Sequence, residues 1–232
     1  MARRLVAATR SRRLTDPAER RKRFGVLMLA LVTVFGLVGI TGPGPWQQAI
    51  SSALLAVTLV LSLAVAEVRP RFLRPIAGVC GLLTLATIID AAAGHGAGRA
   101  AIASNLLFVT IAPPAVAIGT LRVLRQRNEV TIEAVFGVLC LYLLLGMFFA
   151  FLYALIARIN GGAFFETGAA ASAARCLYFS FTTLTTVGYG DLTASTNLGH
   201  TLSVAEALVG QIYLVTIVSL IVSNLGRRRN SA

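Results

Sequence analysis

Long apolar runs alternate with short polar or basic segments along the whole chain. Each run approaches the roughly 20 residues that an α-helix needs to cross the hydrocarbon core of a bilayer. Turn-forming residues separate some of the runs, as in the segment Gly42-Pro43-Gly44-Pro45 after the first one. The pattern predicts six transmembrane helices, at 24–41, 48–66, 75–93, 100–121, 131–157 and 200–225.

The first and fourth runs carry additional signals. Asp16-Pro17 is typical of a helix start, so part of the N-terminal segment is predicted to be helical. The basic stretch before the first run is long and no small-residue cleavage site follows Ile40, which favours an uncleaved helix over a signal peptide. Pro113-Pro114 lies in the middle of the fourth run and should kink that helix.

The composition indicates that lipid is the solvent of most of this chain. Of its 232 residues, 56% are hydrophobic and 13% are charged, whereas a soluble domain carries about 25% charged residues. The net charge of +12 could indicate a nucleic-acid ligand. Because the basic residues cluster in short segments between the apolar runs, the charge instead indicates membrane topology, and we expect no nucleic-acid partner.

The positions of the 21 basic residues predict the orientation of the chain. Eighteen of them lie in 1–23 or directly after the second, fourth and sixth runs. The other three, Arg99, Arg158 and Arg175, lie on the opposite side. By the positive-inside rule, both termini of a multi-pass cell-membrane protein are then cytoplasmic. The connection 158–199 between the fifth and sixth runs is predicted to lie on the outer side.

The three cysteines, Cys80, Cys140 and Cys176, lie in or beside apolar runs. Their number is odd and their spacing is not that of a metal site. We interpret them as small buried hydrophobic residues and predict neither a disulfide nor a metal role.

The outer connection contains the most specific motif of the chain. Thr185–Asp191 reads TTVGYGD and follows a short amphipathic stretch at 172–184, for which Ser172 is a suitable N-cap. A helix of that length reaches about 20 Å, roughly half-way through a membrane. The heptapeptide resembles the selectivity filter of pore-loop potassium channels, in which backbone carbonyls replace the hydration shell of K+.

The resemblance implies which groups coordinate the ion. They are the carbonyls of Thr186, Val187, Gly188 and Tyr189, with the Thr186 hydroxyl at the inner end. Successive carbonyls must face one axis, so some residues of the motif need left-handed backbone angles. Glycine reaches these angles at little steric cost, and we expect Gly188 and Gly190 to adopt them.

Residues around the motif resemble the supporting residues of the same family. They are Thr185, Gly190, Asp191 and Tyr178. The resemblance implies a hydrogen bond between Tyr178 and Asp191, and plain packing of the aromatic ring is the alternative. The other aromatic residues of 172–184 are expected to pack behind the filter.

A single loop of this kind cannot enclose an axis. Non-helical backbone at membrane depth is tolerated only where protein surrounds it or where it lines a cavity. We therefore expect a homotetramer with four loops around a central pore. The predicted fold is an all-α membrane protein of six transmembrane helices, with a re-entrant pore helix and filter loop between helices five and six.

The sixth run resembles the pore-lining inner helix of these channels. Gly210 stands where the family commonly has a hinge glycine, and close helix packing is the alternative interpretation. Glu206 is an ionisable residue inside a span, which suggests either a hydrogen bond with the pore helix or a direct ion site. The predicted cavity lining and hydrophobic gate follow at four-residue steps, at Leu214, Val218 and Val222.

The first four runs resemble a voltage-sensing domain but lack its charges. A sensor needs several arginines at three-residue spacing within the fourth span. Arg122 and Arg125 have this spacing only at the inner end, and no basic residue lies between Arg99 and Arg122. Asp90 is the only candidate for an acidic partner within these spans. We predict a channel that is not strongly voltage-gated.

These interpretations divide the chain into five parts. They are a basic cytoplasmic tail at 1–23, a four-helix domain at 24–121, a cytoplasmic linker at 122–130, a pore domain at 131–226 and a short basic end at 227–232. The basic segments are expected to contact membrane lipids, including anionic ones. His95 and His200 would face the outside and are interpreted as incidental loop residues.

The combined patterns predict a homotetrameric, potassium-selective channel that conducts K+ passively. The alternatives are a weakly selective cation channel, a secondary transporter and a non-conducting regulatory membrane subunit. Tyr189 argues against the first alternative, whose members tend to lose this tyrosine, and the lack of internal repeats argues against the second. We expect no enzymatic activity and no cofactor, with K+ as the permeant ligand.

Overall fold

The structure is a computed structural model that describes residues 17–40, 44–66, 70–92, 99–127, 132–162 and 164–229. These residues form the helices α1 (Pro17–Ile40), α2 (Pro45–Val65), α3 (Pro70–Ala92), α4 (Arg99–Arg127), α5 (Ile132–Ile159), α6 (Ala173–Leu184) and α7 (Asn197–Arg229). Within the described ranges, β pairing is confined to one bridge between Phe165 and Ala194. The all-α prediction is therefore confirmed for this part of the chain.

The six long helices coincide with the six predicted runs. Three of them are long and apolar enough to cross a membrane within the described residues: Arg21–Ile40, Ala134–Ile159 and Asn197–Ile217. The other three contribute shorter apolar stretches, at Ala49–Val65, Leu73–Ile89 and Ser104–Ile118. Six crossings therefore stay a prediction, whereas three helices have the length and hydropathy of a membrane span.

Apolar positions spaced by three and four residues direct α1 onto its neighbours. The buried residues are Phe24, Leu27, Leu31, Val34 and Val38. This spacing places them on one face of a helix with 3.6 residues per turn. Positions between them, such as Val26 and Leu29, are apolar and exposed. A helix of this kind is suited to protein contact on one face and lipid on the other.

Helix α5 lies at the centre of the molecule. It contacts α1, α4, α6 and α7, whereas α2 contacts α1, α3 and α4. Helix α1 also contacts α6, where the rings of Phe35 and Phe181 meet edge-on with their centroids 4.8 Å apart. Of the first four helices, α1 therefore packs directly against α5 and α6, and α4 packs against α5.

Some of the sequence-based predictions fall outside the described residues. They concern the tail at 1–16, the linker at 128–130, the end at 230–232, His95, and the side chains of Asp90, Arg122, Arg125, Val218 and Val222. The start of α1 at Pro17 confirms the helix-start signal. Helix α4 continues through Pro113-Pro114, and its kink stays a prediction. The three cysteines are buried, as predicted.

Candidate functional site

Helix α6 begins and ends where the sequence predicts. Ser172 is its N-cap and accepts a hydrogen bond from the backbone N–H of Arg175 at 3.3 Å. The helix buries one face, formed by Cys176, Leu177, Phe179, Ser180 and Leu184. This packing against α5 and α7 fixes the position of its last turn, from which the TTVGYGD segment continues.

The segment Thr185–Asp191, named the filter segment for its resemblance to a selectivity filter, is bound to the last turn of α6 through backbone amides. The N–H groups of Val187 and Gly188 both donate to the carbonyl of Thr182, at 2.8 and 3.1 Å. The N–H of Thr186 donates to the carbonyl of Thr183 at 2.9 Å. A trans peptide unit directs its N–H and its C=O to opposite sides. The carbonyls of these three peptide units therefore point away from α6.

Left-handed backbone angles alternate along the motif. The angle φ is 58° at Thr186, 48° at Gly188 and 79° at Gly190, whereas Val187 and Tyr189 have negative φ. The prediction for the two glycines is confirmed. In an ordinary strand successive residues face opposite sides, and a change of handedness at every second residue turns their carbonyls towards the same side.

Thr186 adopts a conformation that the sequence does not indicate. A left-handed backbone costs a residue other than glycine about 1–2 kcal/mol, and it is an outlier for a β-branched side chain. The Nε2 group of Gln211 in α7 donates to Thr186 Oγ1 at 3.0 Å and so supports this residue. Gln211 is absent from the residues predicted from sequence. The sequence feature that could have indicated Gln211 is its position as a single side-chain amide in an apolar stretch, next to Gly210.

The supporting residues meet at the outer end of the filter. Tyr178 Oη donates to Asp191 Oδ1 at 3.0 Å, which is the bond that the resemblance implies. The Tyr178 ring also stacks on Tyr189, with centroids 6.4 Å apart and planes 5° from parallel, so both alternatives for Tyr178 occur together. At the inner end, Thr185 Oγ1 donates to the carbonyl of Phe181 at 2.6 Å.

The segments before and after the filter are joined to each other. Phe165 and Ala194 form the antiparallel bridge, and the N–H of Ser195 donates to the carbonyl of Phe164 at 2.8 Å. His200 Nε2 donates to the carbonyl of Ala194 at 2.5 Å. His200 lies in the first turn of α7, so its interpretation as an incidental loop residue is wrong.

Aromatic rings fill the space behind this outer segment. They belong to Phe149, Tyr153, Phe164, Phe165 and Phe179, with neighbouring centroids between 5.1 and 6.1 Å apart. Phe165 and Phe179 both precede the filter in the sequence, and their contact at 5.5 Å connects α6 to the preceding outer loop. The cluster therefore holds the outer end of the site against α5.

Helix α7 approaches α6 very closely at Gly210. A Cβ atom there would lie 2.3 Å from the carbonyl oxygen of Leu184 and 2.9 Å from its Cδ1. Close packing, the alternative interpretation of this glycine, is therefore present, and a hinge stays a prediction. Leu214, the first of the predicted cavity residues, is exposed.

Glu206 lies one turn before Gly210 and is completely buried. Its Oε2 accepts a hydrogen bond from Tyr153 of α5 at 2.7 Å. Its Oε1 lies 2.5 Å from the Ser180 hydroxyl of α6. Of the two predicted roles for Glu206, the hydrogen bond with α6 is the one that the geometry supports.

Three helices long and apolar enough to cross a bilayer indicate a helical membrane protein. Residues 137–227 match a protein family described as "Ion channel". The match includes most of α5, all of α6, the TTVGYGD motif and nearly all of α7, and it leaves α1 to α4 outside. The chain matches no curated protein and no solved structure in the same comparisons.

Proposed function

We propose that this protein is a potassium-selective channel that conducts K+ passively as a homotetramer. The observation that carries the proposal is the backbone of Thr186–Gly190, with its alternating φ angles and with its first three amides bound to α6. Carbonyl oxygens directed away from α6 suit a cation that has shed its water. The proposed ligands are the Thr186, Val187, Gly188 and Tyr189 carbonyls and the Thr186 hydroxyl.

The surfaces left open by a single chain support a stoichiometry of four. Val187 and Tyr189 are 51% and 73% exposed, although the segment resembles one that surrounds an ion. Helix α7 exposes apolar residues such as Leu208 and Ile212. Three further copies around one axis would complete the ring of carbonyls, and copies and lipid together would cover α7.

The proposal includes a location and a set of partners. Eighteen of the 21 basic residues support a cell-membrane protein with both termini in the cytoplasm. The partners are other copies of the chain and membrane lipids, including anionic lipids at the basic segments. The protein has no enzymatic activity and no cofactor in this proposal, and K+ is its permeant ligand.

Liposome recordings test the function directly. Purified protein is reconstituted with K+ inside and Na+ outside, and the reversal potential of single-channel currents is measured. We expect a reversal potential far from zero in the direction that K+ efflux sets. A value near zero would identify a weakly selective cation channel, and silent membranes containing folded protein would identify a non-conducting subunit. Cross-linking of the protein in the same liposomes should yield tetramers as the largest product.

Weak voltage dependence is expected in the same recordings. Moving one charge through 100 mV supplies about 2.3 kcal/mol, and steep sensors move three or four charges per subunit. The fourth run has no basic residue between Arg99 and Arg122, and a buried polar contact of α2 with α4 joins the neutral side chains of Ser52 and Asn105 at 2.6 Å. Steep activation during voltage steps would contradict this expectation.

Removing the Tyr178 hydroxyl should destabilise the outer end of the filter. Tyr178→Phe keeps the ring that stacks on Tyr189 and deletes the hydrogen bond to Asp191. We expect shorter single-channel openings with selectivity for K+ over Na+ retained. Tyr213→Phe is the control, because it removes a hydroxyl that bonds the Val138 carbonyl away from the filter. Unchanged open times in Tyr178→Phe would exclude this role.

A further inference from the structure

Glu206 is a buried acid whose hydrogen-bond partners, among the described residues, are hydroxyl groups. It is completely buried in α7, and within the described part of the chain no basic side chain forms an ion pair with it. The titratable side chains that face it are Tyr142 and Tyr153 of α5, and phenols are neutral at neutral pH. An ionised carboxylate without a counter-charge is costly in such surroundings.

Glu206 belongs to a hydrogen-bond network with three short contacts between oxygen atoms. Tyr153 Oη lies 2.7 Å from Glu206 Oε2, and Ser180 Oγ lies 2.5 Å from Glu206 Oε1. The same Ser180 Oγ lies 2.7 Å from the carbonyl oxygen of Gly146. Each hydroxyl carries one hydrogen and a carbonyl only accepts. If Glu206 were ionised, only the hydroxyl hydrogens of Tyr153 and Ser180 would be present for the three contacts. One pair of oxygen atoms would then lie at hydrogen-bond distance with no hydrogen between them.

A protonated Glu206 supplies the missing hydrogen. The acid then donates from Oε1 to Ser180 Oγ, Ser180 donates to the Gly146 carbonyl, and Tyr153 donates to Oε2. Each contact has one hydrogen and each donor has one acceptor, as is usual for buried polar groups. We infer that Glu206 is a neutral carboxylic acid whose hydrogen bonds position α6, and with it the filter, against α5 and α7.

The position of Ser180 connects this network to the filter. Ser180 lies two residues before Thr182, whose carbonyl binds two filter amides. On the α5 side, a Cβ atom at Gly146 would lie 2.5 Å from the Phe181 ring, so α5 and α6 are in close contact at the same level. Glu206 therefore acts on the filter through α6. It is a positioning residue and not an ion ligand.

The conservative variant separates a neutral acid from a carboxylate. In Glu206→Gln the amide nitrogen can donate to Ser180 while the amide oxygen accepts from Tyr153, so all three contacts keep their hydrogens. We expect K+ flux into liposomes within about twofold of the unchanged protein, because no buried group loses its partner. In Glu206→Ala the hydroxyls of Ser180 and Tyr153 lose that partner, and we expect flux to fall about tenfold or more.

Glu166→Gln provides the matched control. Glu166 is exposed in the outer loop, where it accepts a hydrogen bond from Thr193, and the same chemical change there should leave flux unaltered. Equal losses of flux and of thermal stability in Glu206→Gln and Glu206→Ala would overturn the inference, because they would show that the negative charge is needed.

An infrared spectrum measures the protonation independently of conduction. At neutral pH the unchanged protein should show the carbonyl band of a hydrogen-bonded carboxylic acid, and Glu206→Gln should lack it. Absence of this band from the unchanged protein would also overturn the inference. Because the flux readout rests on the proposed function, a protein that conducts no K+ would refute that function, while the infrared band and the stability of the two variants would still decide the state of Glu206.

Discussion

A Gly188→Ala channel should lose its selectivity for K+ or stop conducting. Gly188 has a φ of 48°, and an added Cβ would meet nothing within 4 Å in the single chain. The expected effect therefore comes from backbone strain. A left-handed alanine costs about 1–2 kcal/mol per chain, and roughly four times that over the four chains of the proposed tetramer. This strain favours a rotated peptide. Because each rotated carbonyl removes an ion ligand, we expect the K+/Na+ permeability ratio to fall at least about tenfold.

Gly161→Ala is the matched control for backbone strain. Gly161 follows α5, has a φ of 74° and also has open space around an added Cβ. The two substitutions therefore introduce a similar strain, and only one of them lies in the filter. We expect Gly161→Ala to lower thermal stability while reversal potentials stay unchanged. Unaltered selectivity in Gly188→Ala would contradict the assignment of the filter, and equal damage in both variants would point to a general effect on folding.

The sequence is most informative where the determinants of structure are local. The helix predicted at 172–184 occurs at Ala173–Leu184 with Ser172 as its cap, because capping and apolar spacing act within a few residues. Gly188 and Gly190 adopt the expected angles for a similarly local reason. Glycine lacks the Cβ that makes positive φ costly.

The contacts that hold the site are not local, and the sequence does not reveal them. Gln211 and Thr186 are 25 positions apart, and Tyr153 and Glu206 are 53 positions apart. Their pairing depends on how α5, α6 and α7 pack. The left-handed angle of Thr186 is equally hidden, since threonine has no intrinsic preference for it. A polar residue in an apolar helix is a signal that a partner exists, but it does not name the partner.

The sequence also does not predict how α1 to α4 pack. In a membrane protein, surfaces that face lipid and surfaces that face other helices are both apolar. Hydropathy therefore locates the helices without indicating which faces pack together. The contact of α1 with α5 and α6 is the clearest example, because the apolar sequence of α1 does not indicate which helices it contacts.

Two turns of α7 contact α6 and the start of the filter. Glu206 reaches Ser180, Gly210 lies against the backbone of Leu184, and Gln211 reaches Thr186. The three contacted residues lie in order along the chain, from the middle of α6 to the start of the filter. The position of the filter therefore depends on the surface of α7 as much as on its own sequence.

Gly210→Ala should displace the inner end of the filter. The new Cβ would lie 2.3 Å from the carbonyl oxygen of Leu184, and this atom belongs to the backbone, so it cannot move without α6. Overpacking of this kind costs about 1–3 kcal/mol. We expect a lower thermal midpoint of unfolding and a large loss of K+ current. Movement of α6 away from α7 also lengthens the bond between Gln211 and Thr186.

Gly36→Ala separates this collision from the general effect of alanine in a helix. Gly36 lies within α1 and has nothing within 4 Å of an added Cβ. Alanine stabilises an open helical position by about 0.5–1 kcal/mol relative to glycine, so this control should conduct normally and melt no earlier than the unchanged protein. A Gly210→Ala channel that matches the control in current and stability would contradict the close packing of α7 on α6. If the protein kept its stability and only the open probability changed, the hinge interpretation of Gly210 would be favoured, because a hinge affects gating more than packing.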